Sequence, residues 1–221
     1  MDATDPVDIT LDGRACRAPA DATVWSAALS MGMELPHPCH LGDGVGGPGL
    51  LPAGNCCACL VEIEGEARLA AACRRRVAAG MVVRTDSARA LQVRALVLGL
   101  LAADAGARAG EPAAASPLGR WAARLDGDAT RFVRRAAAAA ADLTHPDIAI
   151  DMDACIQCTR CLRACRDQQG HKVIGLAYRG GAARIVFDAD VPMGDSSCVS
   201  CMECVRVCPT GALAAVERKG G

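Results

Sequence analysis

Cys155-x2-Cys158-x2-Cys161-x3-Cys165 and Cys198-x2-Cys201-x2-Cys204-x3-Cys208-Pro209 decide how this chain is read. Three closely spaced thiolates fit three corners of one iron–sulfur cube, and the fourth Cys of such a run reaches across to the other cube. The pattern assigns Cys155, Cys158, Cys161 and Cys208 to one 4Fe–4S cluster, and Cys198, Cys201, Cys204 and Cys165 to a second. Zinc sites also use CxxC pairs and need four ligands each. The third Cys of each run and the closing Cys208-Pro209 fit cubanes better.

The chain has 221 residues, enough for one or two domains, and only 2% are aromatic. A core built on large aromatic side chains is therefore excluded, and inorganic cluster is expected to fill part of its volume. A net charge of −1 gives no reason to expect nucleic acid or an anionic membrane surface as a partner. Fourteen Cys would mean disulfides in a secreted protein, but this spacing means metal. Residues 1–13 are acidic and lack the apolar core of a signal peptide. The run from Ala90 to Ala103 is too short to cross a membrane and carries Arg94. These features predict a cytoplasmic protein, in a reducing compartment that keeps thiols available for metal.

In the N-terminal part, Val7 to Leu11 alternates and ends at the hairpin signal Asp12-Gly13, with Arg14 to Ala18 as the returning strand. Asp21 is the expected N-cap of a helix over about 22–31, ended by Gly32. Strand, turn, strand, helix is the opening order of a β-grasp ferredoxin. Cys39-x16-Cys56-x2-Cys59-x13-Cys73 follows. A Cys, a loop, CxxC and a distant Cys is the plant-type 2Fe–2S layout, here with a longer first gap and a shorter last one. The stretches Pro36–Cys39, Gly54–Cys56, Cys59–Gly65 and Ala72–Cys73 resemble the 2Fe–2S domain of the complex I electron-input subunit and its relatives. Those relatives include diaphorase subunits of NAD-reducing hydrogenases, NAD-dependent formate dehydrogenases and iron-only hydrogenases. The resemblance implies that Cys39, Cys56, Cys59 and Cys73 hold a 2Fe–2S cluster.

The Gly-rich insertion from Gly42 to Gly49 departs from the family pattern. Pro48 interrupts it and no βαβ unit surrounds it, so it is expected to be a flexible surface loop rather than a dinucleotide fingerprint. Cys57 falls at a non-ligand position, and Cys16 is expected as a small buried residue on a strand. His37 and His40 flank Cys39. A Rieske centre would use two His in place of two Cys, but four Cys are present. Both His are expected to be loop residues available for hydrogen bonds near the cluster.

From Asp86 to Leu143 there is no Cys and no His. Ala88 to Ala103 has helical periodicity, Ala105 to Pro117 has linker composition, and Leu118 to Leu143 resumes a helical pattern that ends in an Ala run. Many members of the resembled family carry a His-x3-Cys-x2-Cys-x5-Cys site for another 4Fe–4S cluster here. This chain does not, and His145 and His171 cannot rebuild it. His145, before Pro146, is expected to be a loop residue. The expected architecture is α+β: a β-grasp 2Fe–2S ferredoxin domain over 1–86, a helical connecting segment over 87–144, and a bacterial-type dicluster ferredoxin domain over 145–221. The expected complement is one 2Fe–2S and two 4Fe–4S clusters.

The approach to the first run from His145, the segments Arg163–Asp167, Val173–Leu176 and Ile185–Asp188, the approach to the second run from Pro192, and its close at Cys208–Leu213 look like one particular branch. It is the electron-transfer region of cytosolic NAD-dependent formate dehydrogenase catalytic subunits, which continue into a molybdopterin domain. The chain stops at Gly221, which leads to the expectation of a separate subunit or a different activity. No nucleophile–base pair, phosphate loop, flavin site or NAD site is visible, so no catalytic residue is assigned. The expectation is an electron-transfer subunit of a cytoplasmic NAD-linked oxidoreductase, with formate dehydrogenase leading. It would relay electrons between a molybdopterin or hydrogenase catalytic subunit and a flavin/NAD diaphorase subunit. The diaphorase small subunit of an NAD-reducing hydrogenase is the next reading, and a free-standing multi-cluster ferredoxin carrier is the rival class. A structural adaptor with degenerate sites is disfavoured by the intact Cys runs.

Overall fold

Strand β1 (Val7–Leu11) turns Ile9 and Leu11 inward, and β2 (Arg14–Ala18) returns beside it with Cys16 and Ala18 buried. The register runs from Val7 opposite Ala18 to Leu11 opposite Arg14. Both turn residues, Asp12 and Gly13, have positive φ (49° and 77°), which is what a two-residue hairpin turn demands of its sequence. The computed structural model describes residues 5–42, 49–106, 116–133 and 141–216. Most of the Gly-rich insertion, most of the linker stretch and the Ala run after Val133 lie outside the described residues.

Helix α1 (Val24–Ser30) starts later than the sequence suggests, and Thr23, not Asp21, is its N-cap. The Thr23 hydroxyl accepts from the Ser26 amide at 3.1 Å, and the Ser26 hydroxyl accepts from the Thr23 amide at 3.0 Å. This reciprocal box satisfies two otherwise orphaned amides, which a carboxylate two residues upstream does not do. Strands β3 (Leu60–Ile63), β4 (Ala70–Ala71) and β5 (Val82–Arg84) complete a five-stranded sheet of order β2-β1-β5-β3-β4, with β1 and β5 parallel. Leu11, Val24, Val61 and Val83 are fully buried in its core, together with Cys59 and Cys73. Each such aliphatic side chain contributes about 1.5–3 kcal/mol by leaving water.

Helix α2 (Ala88–Ala105) is capped by the Ser87 hydroxyl, which accepts from the Ala90 amide at 3.2 Å. Buried Arg94 donates to the Thr85 carbonyl, and the Thr85 hydroxyl donates to Asp12 at 2.6 Å. The first hairpin turn is thereby tied to the start of α2. Helix α3 (Pro117–Arg124) opens with Pro at its first position and Ser116 as its cap. The helical run expected from Leu118 to Leu143 is not continuous. After Arg124 the chain turns through Asp126 (φ 52°) into a single 3-10 turn at Ala129–Arg131. This turn lies against α2 so closely that a Cβ on Gly99 would stand 2.8 Å from the Asp128 carbonyl oxygen. Leu98, Leu118, Trp121 and Ala122 close a second core with Ala58 and Ile156, one residue from each of two Cys-bearing loops.

Past residue 141, β6 (Ile148–Ile150) pairs antiparallel with β9 (Leu213–Ala215), and β7 (Ile174–Ala177) with β8 (Arg184–Phe187). Short helices α4 (Arg160–Arg163) and α5 (Glu203–Arg206) follow the two Cys loops. The loops share one backbone: Gln157 and Ser200 both have φ 55°, and Thr159 and Met202 have φ 61° and 62°. His145 is more than a loop residue. It is buried, and its Nδ1 accepts from the amides of Asp147 (3.1 Å) and Ile148 (3.2 Å), fixing the entry to β6. Among the described residues, no helix is long and apolar enough to cross a membrane.

Candidate metal centres

Four thiols meet beside the five-stranded sheet. Cys39 lies in the Pro38–Cys39 turn, Cys56 and Cys59 flank the approach to β3, and Cys73 follows β4. The thiols of Cys56 and Cys73 hydrogen-bond to the Cys39 sulfur, and Cys73 also to Cys59. Those bonds hold Cys39 and Cys59 below the ordinary thiol range. Donating them pushes Cys56 and Cys73 above it, with burial adding to the shift. Backbone amides of Gly54 and Cys56 face the Cys39 sulfur, and the Ala58 amide faces Cys56. Gly54 has φ +75°, and a Cβ there would meet the Arg74 side chain at 2.9 Å, so the loop needs glycine at this point. Cys57 is exposed with φ 53°, and Cys16 is buried in the sheet core; neither joins the set of four.

The eight thiols of the C-terminal half fall into two groups. Cys155, Cys158, Cys161 and Cys208 line one space with Ile156, Ile185 and Leu213. Cys165, Cys198, Cys201 and Cys204 line another with Ile148, Ile174 and Met193. The last Cys of each run thus sits with the first three of the other. Cys165 does so from a π-helical turn, Ala164–Gln168, that continues α4. The Gln157 amide donates to the Cys155 sulfur and the Ser200 amide to the Cys198 sulfur, both at 3.5 Å. Burial pushes Cys158 and Cys204 up to about 12 and Cys161 well above the ordinary value. Such thiols ionise when bound cations compensate the charge.

This donor set fits polynuclear clusters. In each C-terminal set one run supplies three thiols and the other run the fourth, the ligand pattern of paired cubanes rather than of separate zinc sites.

The N-terminal set is bound to the C-terminal half by residues that motif spacing does not single out. Arg160, 4% exposed, donates to the carbonyls of His37 and Val207, and its Nε–H has no hydrogen-bond partner among the described residues. Arg163 donates to the carbonyls of Cys39 and Leu51. The Trp121 indole N–H donates to Glu34 at 2.9 Å, and its ring lies 4.8 Å from that of His37. That hydrogen bond, with Arg124 adding to it, holds the Glu34 carboxyl below its usual value. His40 is buried edge-on to Trp25, its Nε2 has no partner among the described residues, and burial holds it at about 4. His37 and His40 therefore pack with Trp25 beside Cys39. His171 lines the second C-terminal space.

Comparison with known proteins finds a cluster-binding family for each half. Residues 4–88 match a 2Fe-2S iron-sulfur cluster binding domain, and residues 145–212 match a 4Fe-4S dicluster domain. The chain is 33% identical over 218 residues to NADP-reducing hydrogenase subunit HndD of Solidesulfovibrio fructosivorans, covering 95% of this chain and 36% of that one. It is 31% identical over 183 residues to the mitochondrial NADH-ubiquinone oxidoreductase 78 kDa subunit of Candida albicans, covering 81% of this chain and 25% of that one. The chain thus spans roughly a third or less of the length of these curated relatives. A crystal structure of an NAD+-reducing [NiFe]-hydrogenase in the H2-reduced state contains a chain similar to it. The TM-score is 0.81 at 27% identity, covering 95% of this chain and 87% of that one.

Proposed function

The chain is a homologue of the electron-input subunit of NADH-quinone oxidoreductase and of NAD-reducing hydrogenase subunits, and on that premise we propose that it is an iron–sulfur electron-transfer subunit of an NAD-linked oxidoreductase. Cys39, Cys56, Cys59 and Cys73 hold a 2Fe–2S cluster. Cys155, Cys158, Cys161 and Cys208 hold one 4Fe–4S cluster, and Cys165, Cys198, Cys201 and Cys204 the other. When bound, such clusters take up and release single electrons at potentials tuned by charge, hydrogen bonds and burial. The protein supplies thiolates, amide donors to sulfur and dry apolar walls. The observation that carries the reading is the grouping of twelve thiols into three fours, with the N-terminal set bridged to the Cys155 set by Arg160 and the Ala58–Ile156 core.

The partners in this reading are a flavin/NAD diaphorase subunit at one end and a hydrogen- or formate-oxidising catalytic subunit at the other, in the cytoplasm. The structural likeness to the hydrogenase chain favours hydrogen. The wording of the C-terminal runs favours formate. The decisive experiment purifies the protein anaerobically with its native partners. The isolated chain is expected to be reduced by dithionite but not by NADH. With the diaphorase, NADH reduces it, and with the catalytic subunit either hydrogen or formate does. NADH oxidation by the isolated, flavin-free chain refutes the relay. Ready turnover with unrelated reductases, without a stable complex, establishes a free carrier instead.

A further inference from the structure

The two Cys loops have the same backbone but differ by two charges at one place. Arg160 follows the left-handed residue Thr159, and Glu203 holds the equivalent position after Met202. Glu203 pairs with Arg206 at 2.7 Å on the surface of its own helix. Arg160 is buried, and no carboxylate reaches it among the described residues; its two hydrogen-bond acceptors are the neutral carbonyls of His37 and Val207. The groups that favour its charge are thiols from two different sets, Cys158 and Cys208 of one and Cys39 and Cys56 of the other, while His37 and His40 also lie within its electrostatic reach. A buried cation is tolerated when anionic charge compensates it, and no side-chain carboxylate does so here.

We propose that Arg160 is a positioning residue that raises the reduction potentials of two neighbouring centres together, the one held by Cys39, Cys56, Cys59 and Cys73 and the one held by Cys155, Cys158, Cys161 and Cys208. The inference rests on the three-cluster reading above. Reduction adds one electron to a centre, and a fixed positive charge beside it in a poorly polarisable interior stabilises the reduced form. Arg160 spans the boundary between the two sets, so its charge acts on both. The Cys165 centre has the Glu203–Arg206 pair in the equivalent place and gains no such net charge. The bidentate grip on His37 and Val207 keeps the guanidinium at the boundary, which a flexible point charge does less well.

The test is a spectroscopically monitored redox titration of the loaded protein and of Arg160→Gln, Arg160→Met and Arg160→Lys. In both neutral variants, the ratio of reduced to oxidised form of the 2Fe–2S centre and of one cubane is expected to fall about tenfold at a fixed potential, about 59 mV for a one-electron couple. The other cubane is expected to stay in place, and Arg160→Lys to restore most of the shift. If the neutral variants load only the distal cubane while Arg160→Lys loads all three centres, the charge assignment also stands. Unchanged potentials, an equal shift in all three centres, or Arg160→Lys behaving like the neutral variants overturns it. Wild-type protein purified anaerobically without iron and acid-labile sulfide would instead overturn the cluster reading itself.

Discussion

Cys56 and Cys158, one from each of two thiol sets, pack against the same apolar core of Ala58, Leu98, Leu118, Trp121, Ala122 and Ile156. Electron tunnelling weakens steeply with distance and is disrupted by mobile water, so a shared dry wall is the natural crossing between two centres. Helices α2 and α3 build that wall. The middle of the chain, which carries no Cys or His, thus holds two thiol sets against each other.

Trp121 is the residue whose loss should weaken this wall most. Trp121→Ala removes a buried ring and the hydrogen bond to Glu34, and should destabilise the protein by about 3–5 kcal/mol. Trp121→Phe keeps most of the ring and loses the bond, with a cost of about 1–3 kcal/mol. Chemical denaturation of the two variants under anaerobic conditions measures both. Equal losses would mean that the Glu34 bond, not the packing, holds α3 in place.

The helix cap gives a local check on the N-terminal fold. Thr23→Ala should cost about 1 kcal/mol, because the Ser26 amide loses its acceptor, the Thr23 hydroxyl. Asp21→Ala should change stability by less than about 0.5 kcal/mol, as exposed substitutions do. Thermal unfolding of the two variants decides between the caps, and a larger loss at Asp21 would return the cap to that residue.

Cys57 should be the readily alkylated thiol of the loaded protein, because it is exposed and lies outside all three sets of four. Its φ of 53° is also unfavourable for a residue with a Cβ. Cys57→Gly should therefore keep the 2Fe–2S spectrum and leave stability unchanged or slightly higher. Mass spectrometry after brief alkylation of native protein locates the modified residue. Modification at Cys56 ahead of Cys57 would mean that the ligand positions are exchanged.

Much of this structure is legible in the sequence because ligand spacing and hairpin chemistry are local. Asp12-Gly13 marks a turn, and the Val7–Leu11 and Arg14–Ala18 strands stand where alternation places them. The start of α1 is harder to read because Asp and Thr are both good caps, and only the partner at Ser26 separates them. The helix expected through Leu125 and beyond fails at Asp126 because α2 packs against the following turn, a contact that no local pattern encodes. Arg160 and Arg163 escape a reading by motif for the same reason. Their acceptors, the carbonyls of His37, Cys39 and Leu51, are more than a hundred positions away in the chain.

The crossing of the fourth ligands gives the most discriminating prediction. Cys208 lines the space of Cys155, Cys158 and Cys161, and Cys165 that of Cys198, Cys201 and Cys204. If each run held its own cluster, removing Cys208 would damage the centre remote from the N-terminal set. With the crossing, Cys208→Ala damages the near one and Cys165→Ala the far one. A fully loaded chain should carry about ten irons, and each variant about six. Iron and sulfide analysis gives the count but cannot tell the variants apart. Magnetic coupling does, because paramagnets in close contact broaden and relax each other's signals. With all centres reduced, the 2Fe–2S signal of Cys165→Ala should keep its fast relaxation from the neighbouring cubane. That of Cys208→Ala should relax slowly, its neighbour having gone. The reverse pattern would mean that each run closes on itself, and the two spaces would have to be reassigned.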